Sequence, residues 1–324
     1  MSEDDSRLLQ NAQQSGDTAE KTIENVDFQD SGFFTRPGSP VRRLPTPDEV
    51  RAAARAAQQP QNFDHPSPVI FPSLGLLVKY GGGVRVAEAK CLRFIRQNLL
   101  GRVRIPEVYG WRTDSRQTFI YIEFIEGDTL EKLWPTMNDK ERTTICSQLR
   151  RMVEEWRGLR QDKAFLGSIE SGPLPDRIFE GAPETAGPFL SLPIFHDWYT
   201  TAIGPNKFNW EGKKPHPFRI KFPDNGPIVF THSDLHPSNI ILSKDAGQLL
   251  HVAAIIDWEQ SGWYPWYWEY CKARWTSEVG AEWDERYLPQ CLDVDGVSSK
   301  LDACDSDGLS LYNYWDYFVL ARGA

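Results

Sequence analysis

Asp234 and Asn239 stand five residues apart in the run Thr231-His232-Ser233-Asp234-Leu235-His236-Pro237-Ser238-Asn239, and Asp257 lies eighteen residues beyond Asn239. The apolar runs at 227–231, 239–243 and 249–256 read as buried strands, so each polar group falls at the end of a strand or between two. Asp245-Ala246-Gly247 is a turn signal joining the last two runs, and a hairpin of that length returns Asp257 close to Asn239. Three oxygen-bearing side chains would then converge beside one sheet. Such a set suits a hard divalent cation bound through carboxylates and substrate phosphates. Phosphoryl transfer asks for little else: a cation on the phosphates and a group that orients the attacking hydroxyl.

The elements that must position these groups are readable in outline. Residues 1–45 are rich in Ser, Gln, Asp and Glu and lack apolar periodicity, which predicts a disordered leader. A short helix is expected over 46–61, where Thr46 can cap, Pro47 suits the first helical position and Glu49 completes a capping box. The segment 62–125 reads as a small lobe. Residues 68–71 and 74–80 predict two strands with a turn at Pro72-Ser73, and Gly81-Gly82-Gly83 a flexible strand-to-helix loop. Glu88, Cys91, Leu92 and Ile95 recur at helical spacing, and two more strands are expected at 106–111 and 118–124. From 126 to 324 the pattern turns helical. Asn138 and Glu141 form a second capping box, and Ile145, Leu149, Met152, Val153, Trp156 and Leu159 line one face of a long helix. Residues 161–226 hold many Pro and Gly around a short aromatic helix near 195–199, and the tail from 263 reads as aromatic and helical.

At 324 residues the chain can bury a sizeable core. A net charge of −9 argues against a nucleic-acid partner, which would ask for a basic patch. The five cysteines are scattered and never spaced C-x-x-C, which fits reduced thiols rather than a disulfide framework or a zinc site. The acidic start Met1-Ser2-Glu3-Asp4-Asp5 has no apolar stretch behind it, and no run approaches the ~18 apolar residues that a membrane span requires. A cytoplasmic protein without a membrane partner is the expectation. The sequence carries no sign of an oligomeric state.

The run 232–242, His-Ser-Asp-Leu-His-Pro-Ser-Asn-Ile-Ile-Leu, followed by Ile255-Ile256-Asp257-Trp258-Glu259, resembles the catalytic and metal-binding pair of the aminoglycoside phosphotransferase and choline kinase family. The tail Gly262-Trp263-Tyr264-Pro265 with Tyr267-Trp268-Glu269-Tyr270-Cys271-Lys272-Ala273 resembles a fungal branch of that family, and the likeness spans residues 62–324. It implies an α+β, protein-kinase-like two-lobe fold: a small β-rich N-lobe with one helix at 62–125 and a larger, mainly helical C-lobe at 126–324. Asp234 matches the catalytic aspartate that accepts or orients the proton of a substrate hydroxyl, and Asn239 and Asp257 match the two Mg²⁺ ligands. Lys79 matches the lysine on the α/β-phosphates and Glu88 its ion-pair partner. Glu123, Phe124 and Ile125 match the inter-lobe linker whose backbone would meet the adenine edge. The implied reaction moves the γ-phosphate of ATP, or of GTP, onto a small hydroxylated acceptor with Mg²⁺. The chain departs from the pattern at Ser233, where glycine is commoner, and at Tyr264, where many relatives have aspartate; no G-x-G-x-x-G precedes Lys79.

Plainer readings stand beside these. His232 and His236 fit hydrogen-bonded structural histidines better than metal ligands, since no cysteine is near. Trp258, Trp263, Trp266, Trp268 and Trp275 suggest an aromatic cage for a quaternary ammonium, though such clusters are more often core. Glu259, Glu269 and Asp197 are the acidic candidates for gripping an amine. The competing function is an inactive nucleotide-binding scaffold, against which the intact Asp234, Asn239, Asp257 and Lys79 count. A protein kinase is the weaker alternative, because no Arg precedes Asp234 and neither D-F-G nor A-P-E is present.

Overall fold

The computed structural model describes residues 25–36, 43–60, 62–181, 183–278 and 280–323. Its small lobe runs β1 (Val26–Asp27), α1 (Gly32–Thr35), α2 (Pro47–Ala56), β2 (Val69–Phe71), β3 (Leu76–Gly81), α3 (Val86–Leu99), β4 (Val108–Asp114) and β5 (Gln117–Glu123). The strands form one antiparallel sheet in the order β1-β4-β5-β3-β2. Because side chains alternate along a strand, each face of this sheet has its own core. Leu76, Val78, Tyr80, Phe119 and Tyr121 pack against Phe33, Leu44, Val50 and Ala54 on one face. Ile120 and Ile122 turn the other way, onto Ala89, Leu92 and Ile95 of α3. Lys79 lies between Val78 and Tyr80 in this alternation, and so points to the α3 side.

Both capping boxes are present. Thr46 N–H donates to the Glu49 carboxylate at 2.8 Å while Glu49 N–H returns to Thr46 Oγ1 at 3.3 Å. Asn138 and Glu141 do the same at the head of the long helix. The expected disordered leader needs correction within its described part. Val26–Asp27 adds a strand to β4, and Phe33 and Leu44 are almost fully buried against the sheet. Two apolar side chains suffice to seat a polar segment when a sheet face lies bare beneath them. Residues 1–24 and 37–42 of that leader lie outside the described residues.

The larger lobe begins with β6 (Asp128–Thr129) and α4 (Leu130–Leu133), followed by α5 (Asp139–Arg157) and α6 (Leu192–Thr201). Next come β7 (Ile228–Thr231), β8 (Ile240–Lys244), β9 (Leu250–Ile255), β10 (Gly262–Pro265) and α7 (Trp268–Trp275). Helices α8 (Leu288–Leu292), α9 (Val297–Asp302) and α10 (Leu311–Ala321) close the chain. Strand order β6-β8-β9 makes one small sheet, and β10 pairs antiparallel with β7. The tail from 263 is therefore not helical throughout. Its first residues are extended because β7 offers them a partner strand, Gly262 lying opposite Thr231 and Pro265 opposite Ile228. Gly127 stands where the chain leaves the linker, at φ +156°, and a Cβ there would come within 2.2 Å of Leu242 O. The architecture is an α+β fold of two lobes. Among the described residues no helix is long and apolar enough to cross a membrane.

Candidate active site

The β8–β9 hairpin brings the distant polar residues together. Ile240 pairs with Ile255, and Ile256 N–H donates to Asn239 O at 2.9 Å, so Asp257 follows directly beside Asn239. Asn239 Nδ2 donates to Asp234 O at 2.9 Å and to Asp234 Oδ2 at 3.1 Å. Its amide hydrogens are thereby spent on Asp234, and its Oδ1 is the group left to accept. Asp257 sits at φ +66°, a left-handed conformation that costs energy and turns the residue sharply out of β9. The donors gathered here are carboxylate and amide oxygens without sulfur, which fits Mg²⁺ rather than a soft metal.

Lys79 joins the two lobes. Its Nζ lies 2.9 Å from both oxygens of Glu88 and 2.8 Å from Asp257 Oδ1. Burial disfavours its charge, but Glu88 and Asp257 outweigh that and raise its pKa, so the ammonium stays charged. Burial acts against the Asp257 carboxylate too, and Lys79 prevails, holding it below its ordinary range. Complete burial pushes the Glu88 carboxyl up, and the Lys79 ammonium bonded to both its oxygens opposes that rise. Oxygens of Glu88, Asp257 and Glu259 also lie within 4.8 Å of one another. The Lys79 ammonium already fills the place between the first two, so this trio is balanced by a side chain.

The catalytic-type loop is clamped from behind. Glu269, on α7 and nearly inaccessible, accepts His232 N–H at 2.7 Å and Ser233 N–H at 3.0 Å. The His232 ring donates from Nε2 to Ile256 O at 3.0 Å and accepts Asp234 N–H at Nδ1, at 3.1 Å. Those two bonds fix the neutral tautomer, and burial lowers the pKa in agreement. Ser233, at φ +66°, donates from Oγ to Asp176 Oδ2 at 2.5 Å. Asp176 also accepts from Trp268 Nε1 at 2.9 Å and from Lys272 Nζ at 2.8 Å. The serine in place of a glycine is thus anchored through its hydroxyl, and the loop holds its left-handed turn by that bond.

Burial pushes the Glu269 carboxyl up to about 7, against the opposing pull of the two N–H groups. A folded-state pKa above the unfolded one means the folded protein binds the extra proton. This contribution to stability is therefore complete below the unfolded value of about 4.5 and is lost as pH rises through 7. We expect Glu269→Gln to flatten the stability–pH curve by about 3 kcal/mol between pH 4.5 and 7 relative to the parent. Denaturant titrations across that range would check it, and parallel curves for the two proteins would refute the titration of Glu269.

Several expected roles move. Glu123 N–H donates to Glu107 O at 2.8 Å and Phe124 N–H to Gly75 O at 3.0 Å, so the sheet uses both groups. Of the linker Glu123-Phe124-Ile125, the Ile125 N–H has no backbone partner among the described residues. Glu269 is not an amine-gripping carboxylate, because it is buried on backbone amides. Asp197 is paired with Arg219 at 2.6 Å. Glu259 reaches Arg177 Nη2 at 2.5 Å. Trp258, Trp263 and Trp268 are core side chains, which leaves no cage of five tryptophans. His236 caps its own turn, with Nδ1 2.8 Å from Ser238 Oγ. Tyr264, where an aspartate was the commoner residue, is buried and donates to Gln260 O at 2.8 Å. Sequence reasoning gave no role to Asp176, Arg177 or Lys272. The first two sit in no motif, and Lys272 was read only as part of the tail 267–273, where a lysine inside an aromatic helix hinted at a buried partner.

Comparison with known proteins gives this geometry a family. Residues 85–290, more than half of the chain, match the model of a phosphotransferase enzyme family, a span that holds Glu88, Asp234, Asn239 and Asp257 and begins after Lys79. A search of curated proteins finds no match. Similar solved structures include aminoglycoside phosphotransferase APH(4)-Ia, with 14% identity, a TM-score of 0.48 and 82% of each chain covered. Aminoglycoside-3′-phosphotransferase of type VIII gives 18% identity and a TM-score of 0.46 over 83% of this chain and 98% of the other. A streptomycin–ATP–APH(2″)-IIa ternary complex gives 11% and 0.45 over 80% and 85%. The assignment rests on the family match, and by it the chain belongs to the phosphotransferase enzyme family.

Proposed function

We propose that the protein is an ATP- and Mg²⁺-dependent O-phosphotransferase acting on a small hydroxylated molecule, with GTP as a possible alternative donor. The observation that carries this reading is Lys79, held between Glu88 of the small lobe and Asp257 of the large one. That arrangement keeps a cation charged at the lobe junction, where the α/β-phosphates of a nucleotide would lie. Glu88 orients it from behind. Asp257 and the free Oδ1 of Asn239 would hold the metal, which neutralises charge on the β- and γ-phosphates when bound. Asp234 stands as the group that orients the acceptor hydroxyl and takes its proton. The backbone of the linker Glu123-Phe124-Ile125, the Ile125 N–H included, would meet the base. A net charge of −9 suits a cationic or neutral acceptor and speaks against nucleic acid. The free-thiol cysteines fit a cytoplasmic setting.

A thermal-shift titration with ATP and GTP, with and without Mg²⁺, tests the site on the parent and on Asp257→Ala. The parent should gain about 2.7 kcal/mol of stability when nucleotide reaches 100 times its Kd, and the variant should lose the Mg²⁺-dependent part. An unchanged Mg²⁺ response in Asp257→Ala would move the metal elsewhere. No response of the parent to any nucleotide would favour the inactive scaffold.

A further inference from the structure

A cavity of about 560 Å³ opens on the face of the small-lobe sheet away from Lys79, bordered by α2, the loop at 62–63, β3 and the β4–β5 turn. That volume falls in the range of pockets that enclose small organic ligands. It is separate from the site above, because Tyr80 of β3 lines it while the neighbouring Lys79 projects from the other face of the same strand.

The polar groups around the cavity divide into those already used and those not. Arg51 is fully engaged: Nε donates to Gln117 Oε1 at 3.0 Å, and Nη1 pairs with Asp114 at 2.6 Å. Its Nη2 donates to Asp114 O at 3.2 Å, and its guanidinium lies over the Phe119 ring. Gln117 in turn donates to Phe63 O at 3.0 Å, which ties the 62–63 loop to β5. These contacts brace the walls. One turn along α2 from Arg51, the side chain of Arg55 forms no ion pair or hydrogen bond among the described residues, and it borders the same cavity. Tyr80 is only 7% exposed and its hydroxyl has no hydrogen-bond partner among the described residues. Arg51 and Arg55 are both close enough to Tyr80 to oppose the rise in its pKa that burial causes. The hydroxyl opens into the cavity, and with the unpaired Arg55 guanidinium it leaves two kinds of donor free for a ligand. Phe63 adds an aromatic wall.

We propose that this cavity binds a small organic anion, its carboxylate or phosphate held by Arg55 and the Tyr80 hydroxyl and its flat apolar part lying against Phe63. A guanidinium and a phenol together supply donors suited to an oxyanion, and the braced Arg51–Gln117 frame means little ordering is needed on binding.

The test uses the full chain, with phenyl phosphate and benzoate as probes in isothermal titration. Arg55→Ala and Tyr80→Phe are compared with the parent. Both are mild: Arg55 is exposed, and phenylalanine keeps the ring stacked on Phe119 at 5.3 Å. Lys79→Met serves as the control for probe entering the nucleotide site. Saturable binding of at least one probe is expected, weakened about tenfold by Arg55→Ala and a few-fold by Tyr80→Phe, and unchanged in Lys79→Met. Absence of saturable binding by both probes would overturn the proposal. So would binding that survives both cavity variants or disappears in Lys79→Met, which would place the anion in the nucleotide site instead. Since the reading of the nucleotide site is tested by Asp257→Ala, either proposal can fail alone.

Discussion

Asp234→Ala will leave Mg²⁺-nucleotide binding within about twofold of the parent and lower phosphoryl transfer by roughly 10²–10⁴-fold, the usual worth of a positioned general base. The separation of the two effects follows from how the loop is held. His232 Nδ1 accepts Asp234 N–H, and Asn239 Nδ2 and His236 N–H both donate to Asp234 O. The backbone at 234 is therefore fixed without help from its own carboxylate. Truncation removes one oxygen contact, that of Asn239 Nδ2 to Asp234 Oδ2 at 3.1 Å, and leaves Lys79, Glu88 and Asp257 untouched. Nucleotide affinity would be followed by titration, and turnover by ATP consumption over a panel of hydroxylated amines, amino sugars and sugars. Equal turnover in the variant and the parent would remove Asp234 from the proposed role.

What could be read from the sequence divides by how local the signal was. The hairpin carrying Asn239 and Asp257 was legible because two apolar runs and a turn lie within about twenty residues, and strand pairing does the rest. The helix heads at Thr46 and Asn138 were legible because a capping box is a contact between residues three apart. Beyond that range the signal faded. Val26–Asp27 pairs with β4 more than eighty residues away, and its polar neighbours made it look like leader. The tail from 263 looked helical, and pairing of Gly262–Pro265 with β7 made its first residues a strand, a case of tertiary pairing overriding local pattern. The carboxylate at Glu269 was visible as an acidic group in an aromatic stretch, but only the fold reveals that it faces two backbone amides. Asp176 and Lys272 lie 96 residues apart, and no spacing rule links them.

Lys272→Met will cost about 3–5 kcal/mol of stability, a fall in Tm on the order of 10 °C, because it strands a buried carboxylate. Lys272 and Asp176 have side chains 3% and 0% exposed and meet at 2.8 Å. Desolvating that pair was already expensive, and removing the ammonium takes away the attraction while the cost of burying Asp176 remains. Three neutral donors would be left on Asp176, from Ser233 Oγ, Trp268 Nε1 and Ile178 N–H. The carboxylate would then be expected to rearrange. Ser233 would feel it first, since its hydroxyl bond to Asp176 holds the left-handed turn one residue before Asp234. Turnover should therefore fall together with stability in Lys272→Met. The double variant Lys272→Met with Asp176→Asn separates the two causes. It deletes the stranded charge but keeps an oxygen for Ser233 and Trp268, so it should recover much of the stability lost by the single variant. A double-mutant cycle by chemical denaturation gives the coupling directly. A loss below about 1 kcal/mol in Lys272→Met would mean that water or a neighbouring side chain replaces the ammonium, and the clamp behind the catalytic-type loop would have to be traced to Glu269 alone.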